Sequence, residues 1–168
     1  ARWEIAVDPA DAEDREYFVE TVLHEYFHYL SLNHTQLIYT SEQTLDTYNE
    51  PGMVTLADSY LNDFYQEFWT GYLDDCLACD DTYNFFLRHC DDFITPYAST
   101  DPSEDICESF AFFVLRPRDF RADEDVWSRK LDFFYQYPKL VAFREEVRGN
   151  LGLAWGEYFE SRQEADAA

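Results

Sequence analysis

One stretch limits what this chain can become more than any other: Thr21-Val22-Leu23-His24-Glu25-Tyr26-Phe27-His28-Tyr29-Leu30. Tyr17, Phe18, Val22, Leu23, Phe27 and Leu30 recur at helical spacing, so the segment reads as a buried amphipathic helix that starts between Asp8 and Asp14 and runs to about Asn33. At about 3.6 residues per turn, His24 and His28 stand one above the other and both imidazoles can reach one cation. Glu25 is rotated by about 100° on the wheel, displaced from that pair yet close enough to act on a water beside the ion. A single histidine on an apolar helix face is usually a satisfied core residue. Three polar groups in one buried stripe are a different case, because each left unsatisfied costs about 1 to 3 kcal/mol and a metal satisfies them together. This His-Glu-x-x-His arrangement is that of a zinc hydrolase helix, with Glu25 as the base.

A catalytic zinc takes three protein ligands and leaves a fourth position for water. Three residues compete for the third place. His34 completes His24-Glu25-x-x-His28-x-x-Ser31-x-x-His34, the spacing of the metzincins, with serine where that family has glycine and with Met53 as the sole methionine available for its turn. Glu104 and Glu108 are spaced i, i+4 in an aromatic-rich helical run, so both carboxylates share one face, where neither stays ionised without a cation or donors nearby. In the favoured reading Glu104 binds the metal, and Glu108 accepts the remaining N–H of a ligand histidine. Asp101 and Glu104 also fit a capping box, in which Glu104 merely closes the helix start and Glu108 becomes the ligand.

A chain of 168 residues suits one domain with a real core, here expected as a catalytic unit over 1–156 followed by a polar, flexible tail over 157–168. Acidic residues number 35 against 12 basic ones, a formal charge of −23, and the lysines are Lys130 and Lys139 alone. Nucleic acid and anionic membrane surfaces are disfavoured as partners, since phosphate contacts need clustered Lys and Arg. The charge reads as a solvated acidic face or, more sharply, as adaptation to high salt. Four cysteines, Cys76, Cys79, Cys90 and Cys107, are too few for a disulfide scaffold, and Cys76-x-x-Cys79 has no second such pair to make a zinc knuckle. A surface disulfide involving Cys90 is expected instead, with Cys107 packed as a small hydrophobe. No signal peptide or membrane-spanning run is present between Ala1 and Ala168, so any targeting segment is expected upstream.

Along the chain, Trp3-Glu4-Ile5-Ala6-Val7 alternates like an edge strand of a short sheet, on which an extended substrate could lie. Residues 34–56 show no period and read as a long loop with a turn at Asn49-Glu50-Pro51-Gly52. Helices are expected at Ala57–Trp69, Thr82–His89, from Asp101 to Arg116-Pro117, and, on either side of Pro138, at Asp125–Tyr135 and Lys139–Arg148. His89 reads as a surface residue. The fold class is therefore mainly α (α+β), a zincin-like helical domain with a short strand or small sheet.

The combination of His24-Glu25-x-x-His28-x-Leu30-Ser31-Leu32-Asn33, Tyr60-x-x-x-Phe64-Tyr65-x-x-Phe68-Trp69, Tyr97-Ala98-Ser99-Thr100-Asp101-Pro102-Ser103-Glu104-Asp105-Ile106-Cys107-Glu108-Ser109-Phe110-Ala111 and Phe133-Phe134-Tyr135 resembles a bacterial family of zinc-binding metallopeptidases of gluzincin type, over roughly residues 3–148. The resemblance implies Zn2+ on His24, His28 and Glu104, a peptide or protein substrate, and an extracellular or cell-surface location. It is similar also to lethal-factor-type peptidases, where a tyrosine seven residues before the ligand glutamate stabilises the oxyanion; Tyr97 stands at that offset. Phe27 departs from the family, where glycine is common, and so does Cys107, where alanine is usual. The expected function is peptide-bond hydrolysis by a metal-activated water with Glu25 as general base. A non-catalytic, zinc-stabilised surface module and a zinc amidase acting on a cell-wall amide are the alternatives.

Overall fold

The fold is built around α5 (Pro102–Leu115), in which every side chain from 105 to 115 is buried. The computed structural model describes residues 4–6, 10–44, 46–118 and 125–153. Asp101 starts α5 by accepting the backbone N–H groups of Ser103 (2.8 Å) and Glu104 (3.1 Å), and Pro102 takes the first helical position, where no N–H is needed. At the other end, the orphan carbonyls of the last turn are met by two buried arginines of α7 (Pro138–Leu151). Arg144 donates to the carbonyls of Phe113 and Arg116, both at 2.8 Å, and Arg148 donates to that of Leu115 at 2.6 Å. Cations at a helix C-terminus also suit its dipole.

Against α5 lies α1 (Arg15–Ser31), its N-terminus capped by Asp14 and its last carbonyls taken by the Asn33 side-chain amide. The helix thus begins at the late edge of the expected window. Its buried residues are Glu20, Leu23, His24, Phe27 and Ser31, a stripe rotated from the expected one: Tyr17 is exposed, and Phe18, Val22 and Leu30 are only half-buried. Wholly buried Phe27 stacks on Phe110 at 4.2 Å and meets Phe134 edge-on at 5.5 Å. The Phe27 phenyl therefore fills the seam between α1 and α5. Helix α2 (Tyr60–Phe68) and α6 (Val126–Phe133) close the core around α5 with Leu61, Phe64, Phe68 and Phe133, while α3 (Leu73–Leu77) and α4 (Thr82–Arg88) pack on each other beyond Trp69.

The sheet lies where a loop was expected. Strands β1 (Leu37–Tyr39), β2 (Asn49–Glu50) and β3 (Met53–Thr55) form an antiparallel sheet in the order β1-β3-β2, with Leu37 opposite Thr55 and Glu50 opposite Met53. The β2–β3 turn uses Pro51 and then Gly52 at φ +95°, the residue types a tight turn with a left-handed second position demands. Residues 4–6, the described part of the expected N-terminal strand, are in no strand. The disulfide expected at Cys90 is also corrected: all four cysteines are free, Cys90 exposed, Cys76 and Cys107 buried. The tail over 157–168 and the boundary at 156 lie outside the described residues. No helix among the described residues is long and apolar enough to cross a membrane.

Candidate metal centre

The α1–α5 seam carries His24 and His28 on one side and Glu104, Cys107 and Glu108 on the other. His24 Nε2 lies 3.1 Å from His28 Nε2 and 3.0 Å from Glu104 Oε2, and His28 Nε2 lies 3.3 Å from the same oxygen. Donors held about 2.0 to 2.1 Å from one zinc at tetrahedral angles sit about 3.3 Å apart, so these three atoms have the spacing of three corners of one coordination tetrahedron. Glu104 does not close a capping box; its carboxylate turns to the two imidazoles while Asp101 alone caps the helix.

Behind His24 stands a buried polar relay. His24 Nδ1 donates to Glu108 Oε1 at 2.7 Å, Thr95 Oγ1 donates to Glu108 Oε2 at 2.8 Å, and the Ala98 N–H donates to Thr95 Oγ1 at 3.0 Å. Burial alone would lower the His24 pKa, but hydrogen bonds to Glu104 and Glu108, with their charge, outweigh it and raise it to about 9. Burial works against Glu104 as well, yet the two histidines hold its carboxyl down at about 2. In the metal-free protein the two carboxylates favour a protonated His24 between them, the place a divalent cation would take by displacing that proton and adding one unit of positive charge.

Cys107 enters from α5 with its sulfur 3.3 Å from His28 Nδ1. His24, His28 and Cys107 together are a group whose donor atoms lie within 4.8 Å of one another and which could hold a metal ion. Two donor sets thus share the histidines. The set with Glu104 has the tighter geometry around both Nε2 atoms; the sulfur lies at the other edge of the His28 ring. Burial first, and then the charges of Glu104 and Glu108, push the Cys107 thiol well above its ordinary range, so in the metal-free protein the sulfur keeps its proton.

Glu25 is exposed beside His24 and lines a cleft of about 410 Å³ with Tyr17, Glu20, Thr21, His24, Tyr97 and Glu108. Tyr97 is half-exposed, its ring 5.8 Å from that of His24. Burial, then the charge of Glu104 and a hydrogen bond to it, push the phenol up to about 12, so the hydroxyl keeps its proton at neutral pH. His34, the metzincin candidate, is exposed in the turn after α1 and belongs to no potential metal group among the described residues. His89 is three-quarters buried and pairs with Asp75 at 3.2 Å instead of lying free on the surface. Sequence reading missed Thr95 and the polar role of Cys107. Thr95-Pro96, two residues before Tyr97, was the available signal for the first; nothing in the spacing marks the second.

The chain matches no protein-family model, no curated protein and no solved structure.

Proposed function

We propose that this protein is a zinc-dependent metallopeptidase that cleaves peptide bonds in a peptide or protein substrate, and that it belongs with the gluzincin-type family its motifs resemble. The observation that carries the reading is the triangle of His24 Nε2, His28 Nε2 and Glu104 Oε2 at 3.0 to 3.3 Å, with Glu25 one residue away on the open cleft. These three residues would hold Zn2+, which when bound would supply Lewis acidity toward a water and the scissile carbonyl. Glu25 removes a proton from the attacking water and passes it to the leaving amine nitrogen. Tyr97 donates its hydroxyl proton in a hydrogen bond to the oxyanion that forms at the carbonyl. Glu108, fixed by Thr95, holds His24 through Nδ1, which leaves its Nε2 for the point shared with His28 and Glu104. The family reading brings with it an extracellular or cell-surface location.

The Glu25→Gln variant tests the assignment. It keeps every metal ligand, so zinc content should equal that of the parent while peptide hydrolysis falls by about 10² to 10⁴-fold. Undiminished turnover in that variant removes Glu25 as the base. One observation favours a second reading: the buried Cys107 sulfur in the same cluster suits a closed, structural zinc site without turnover. Unfolding of the parent on chelation, with no peptidase activity beforehand, would favour that module.

A further inference from the structure

A metal-ligating histidine needs a partner at its outer ring nitrogen, which fixes both tautomer and ring orientation. His24 has the Glu108 carboxylate in that place. His28 has a thiol: Cys107 Sγ at 3.3 Å from Nδ1, on a wholly buried side chain of α5 between Glu104 and Glu108. Resting on the metal-site reading above, we propose that Cys107 is the positioning residue of His28, its sulfur accepting the Nδ1–H and thereby committing Nε2 to the point shared with His24 and Glu104.

The geometry supports this in two steps. His28 Nε2 already lies 3.1 Å from His24 Nε2 and 3.3 Å from Glu104 Oε2, so it is the nitrogen that must present a lone pair there. The tautomer that frees Nε2 carries its proton on Nδ1, and the sulfur stands at that atom. Were Cys107 instead a direct ligand, His28 would have to coordinate through Nδ1, on the sulfur's side of the ring, and the Nε2–Nε2–Oε2 triangle would be lost. A thiol accepts a hydrogen bond more weakly than a carboxylate. The two histidines are thus unequal: one is backed by a charge, the other only held in place.

The experiment uses the full chain and two readouts. In the Zn2+-loaded protein, where Nε2 is taken by the ion, NMR of the histidine rings should show a His28 Nδ1–H resonance protected from solvent exchange and shifted by its hydrogen bond to sulfur, and Cys107→Ala should move that resonance and speed its exchange. Titration with Co2+ should show binding about 10 to 100-fold weaker in Cys107→Ala, with most of the loss restored in Cys107→Ser, whose hydroxyl can still accept. The parent's Co2+ spectrum should lack a thiolate-to-metal charge-transfer band. An unchanged His28 Nδ1–H resonance and affinity in Cys107→Ala would reduce Cys107 to packing, and a charge-transfer band that vanishes in that variant would make it a ligand; either result overturns the proposal. If the parent takes up no Co2+, the metal-site reading fails and the positioning role with it; a parent that binds Co2+ no more tightly than Cys107→Ala overturns the positioning role alone.

Discussion

His24 governs how the metal-free protein responds to pH. Its pKa is raised from 6.5 to about 9 despite burial, because Glu104 and Glu108 favour the imidazolium. The stabilisation this gives is fully present below about 6.5 and is lost as pH rises through about 9. Glu104 runs the other way: burial opposes the shift, but His24 and His28 depress the carboxyl from 4.5 to about 2, so its contribution is present above 4.5 and is lost as pH falls through about 2. Urea midpoints of the metal-free protein should therefore fall at both ends of the scale. A metal must also displace the His24 proton, so apparent affinity should climb about tenfold per pH unit between about 6.5 and about 9 and then level off; competition with a chelator measures it, and a flat profile contradicts the clamped imidazolium. Tyr97→Phe should lower kcat by about 10² to 10³-fold with zinc content unchanged. At this scale much was legible. A helix converts spacing into position, so His24, His28, Glu104 and Glu108 could be assigned to shared faces before any fold was known. Cys107 meets a histidine 79 residues away and Thr95 a glutamate on another element, contacts that only tertiary packing creates.

At the scale of elements, α5 is fixed from behind by an ion pair with no exposure at all. Asp105, next to Glu104, has its Oδ2 2.7 Å from Lys130 Nζ of α6 and accepts the Trp69 indole N–H, also at 2.7 Å. The Lys130 ammonium lies 3.7 Å from the centroid of the Phe93 ring. Burial raises the pKa of Asp105 and lowers that of Lys130, each opposed by the partner's charge and hydrogen bond. Removing one partner leaves the other buried and unpaired: Lys130→Met should cost about 3 to 5 kcal/mol in urea unfolding, and Lys130→Met combined with Asp105→Leu should recover much of it. A loss below about 1 kcal/mol in the single variant would show that the pair does not anchor α5. The long helices were legible from their apolar period, caps and prolines. The sheet was not, because strands of two and three residues are too short to show alternation, and α3, five residues long, offers little more than one turn.

For the whole molecule, charge is the dominant fact. With 35 acidic and 12 basic residues, much of the surface repels itself in dilute buffer. Three of the twelve cationic residues, Lys130, Arg144 and Arg148, are buried and occupied with α5. Raising salt from about 0.1 to about 3 M screens the carboxylates and should raise the melting temperature, where a flat response would end the high-salt reading. The central claim, that His24, His28 and Glu104 jointly hold one divalent ion, is tested most directly by the zinc content of the purified protein beside that of His24→Ala, Glu104→Ala and His34→Ala. The account predicts about one zinc per chain in the parent and in His34→Ala and a large loss in the other two; a parent without zinc, or full zinc in Glu104→Ala, would contradict it.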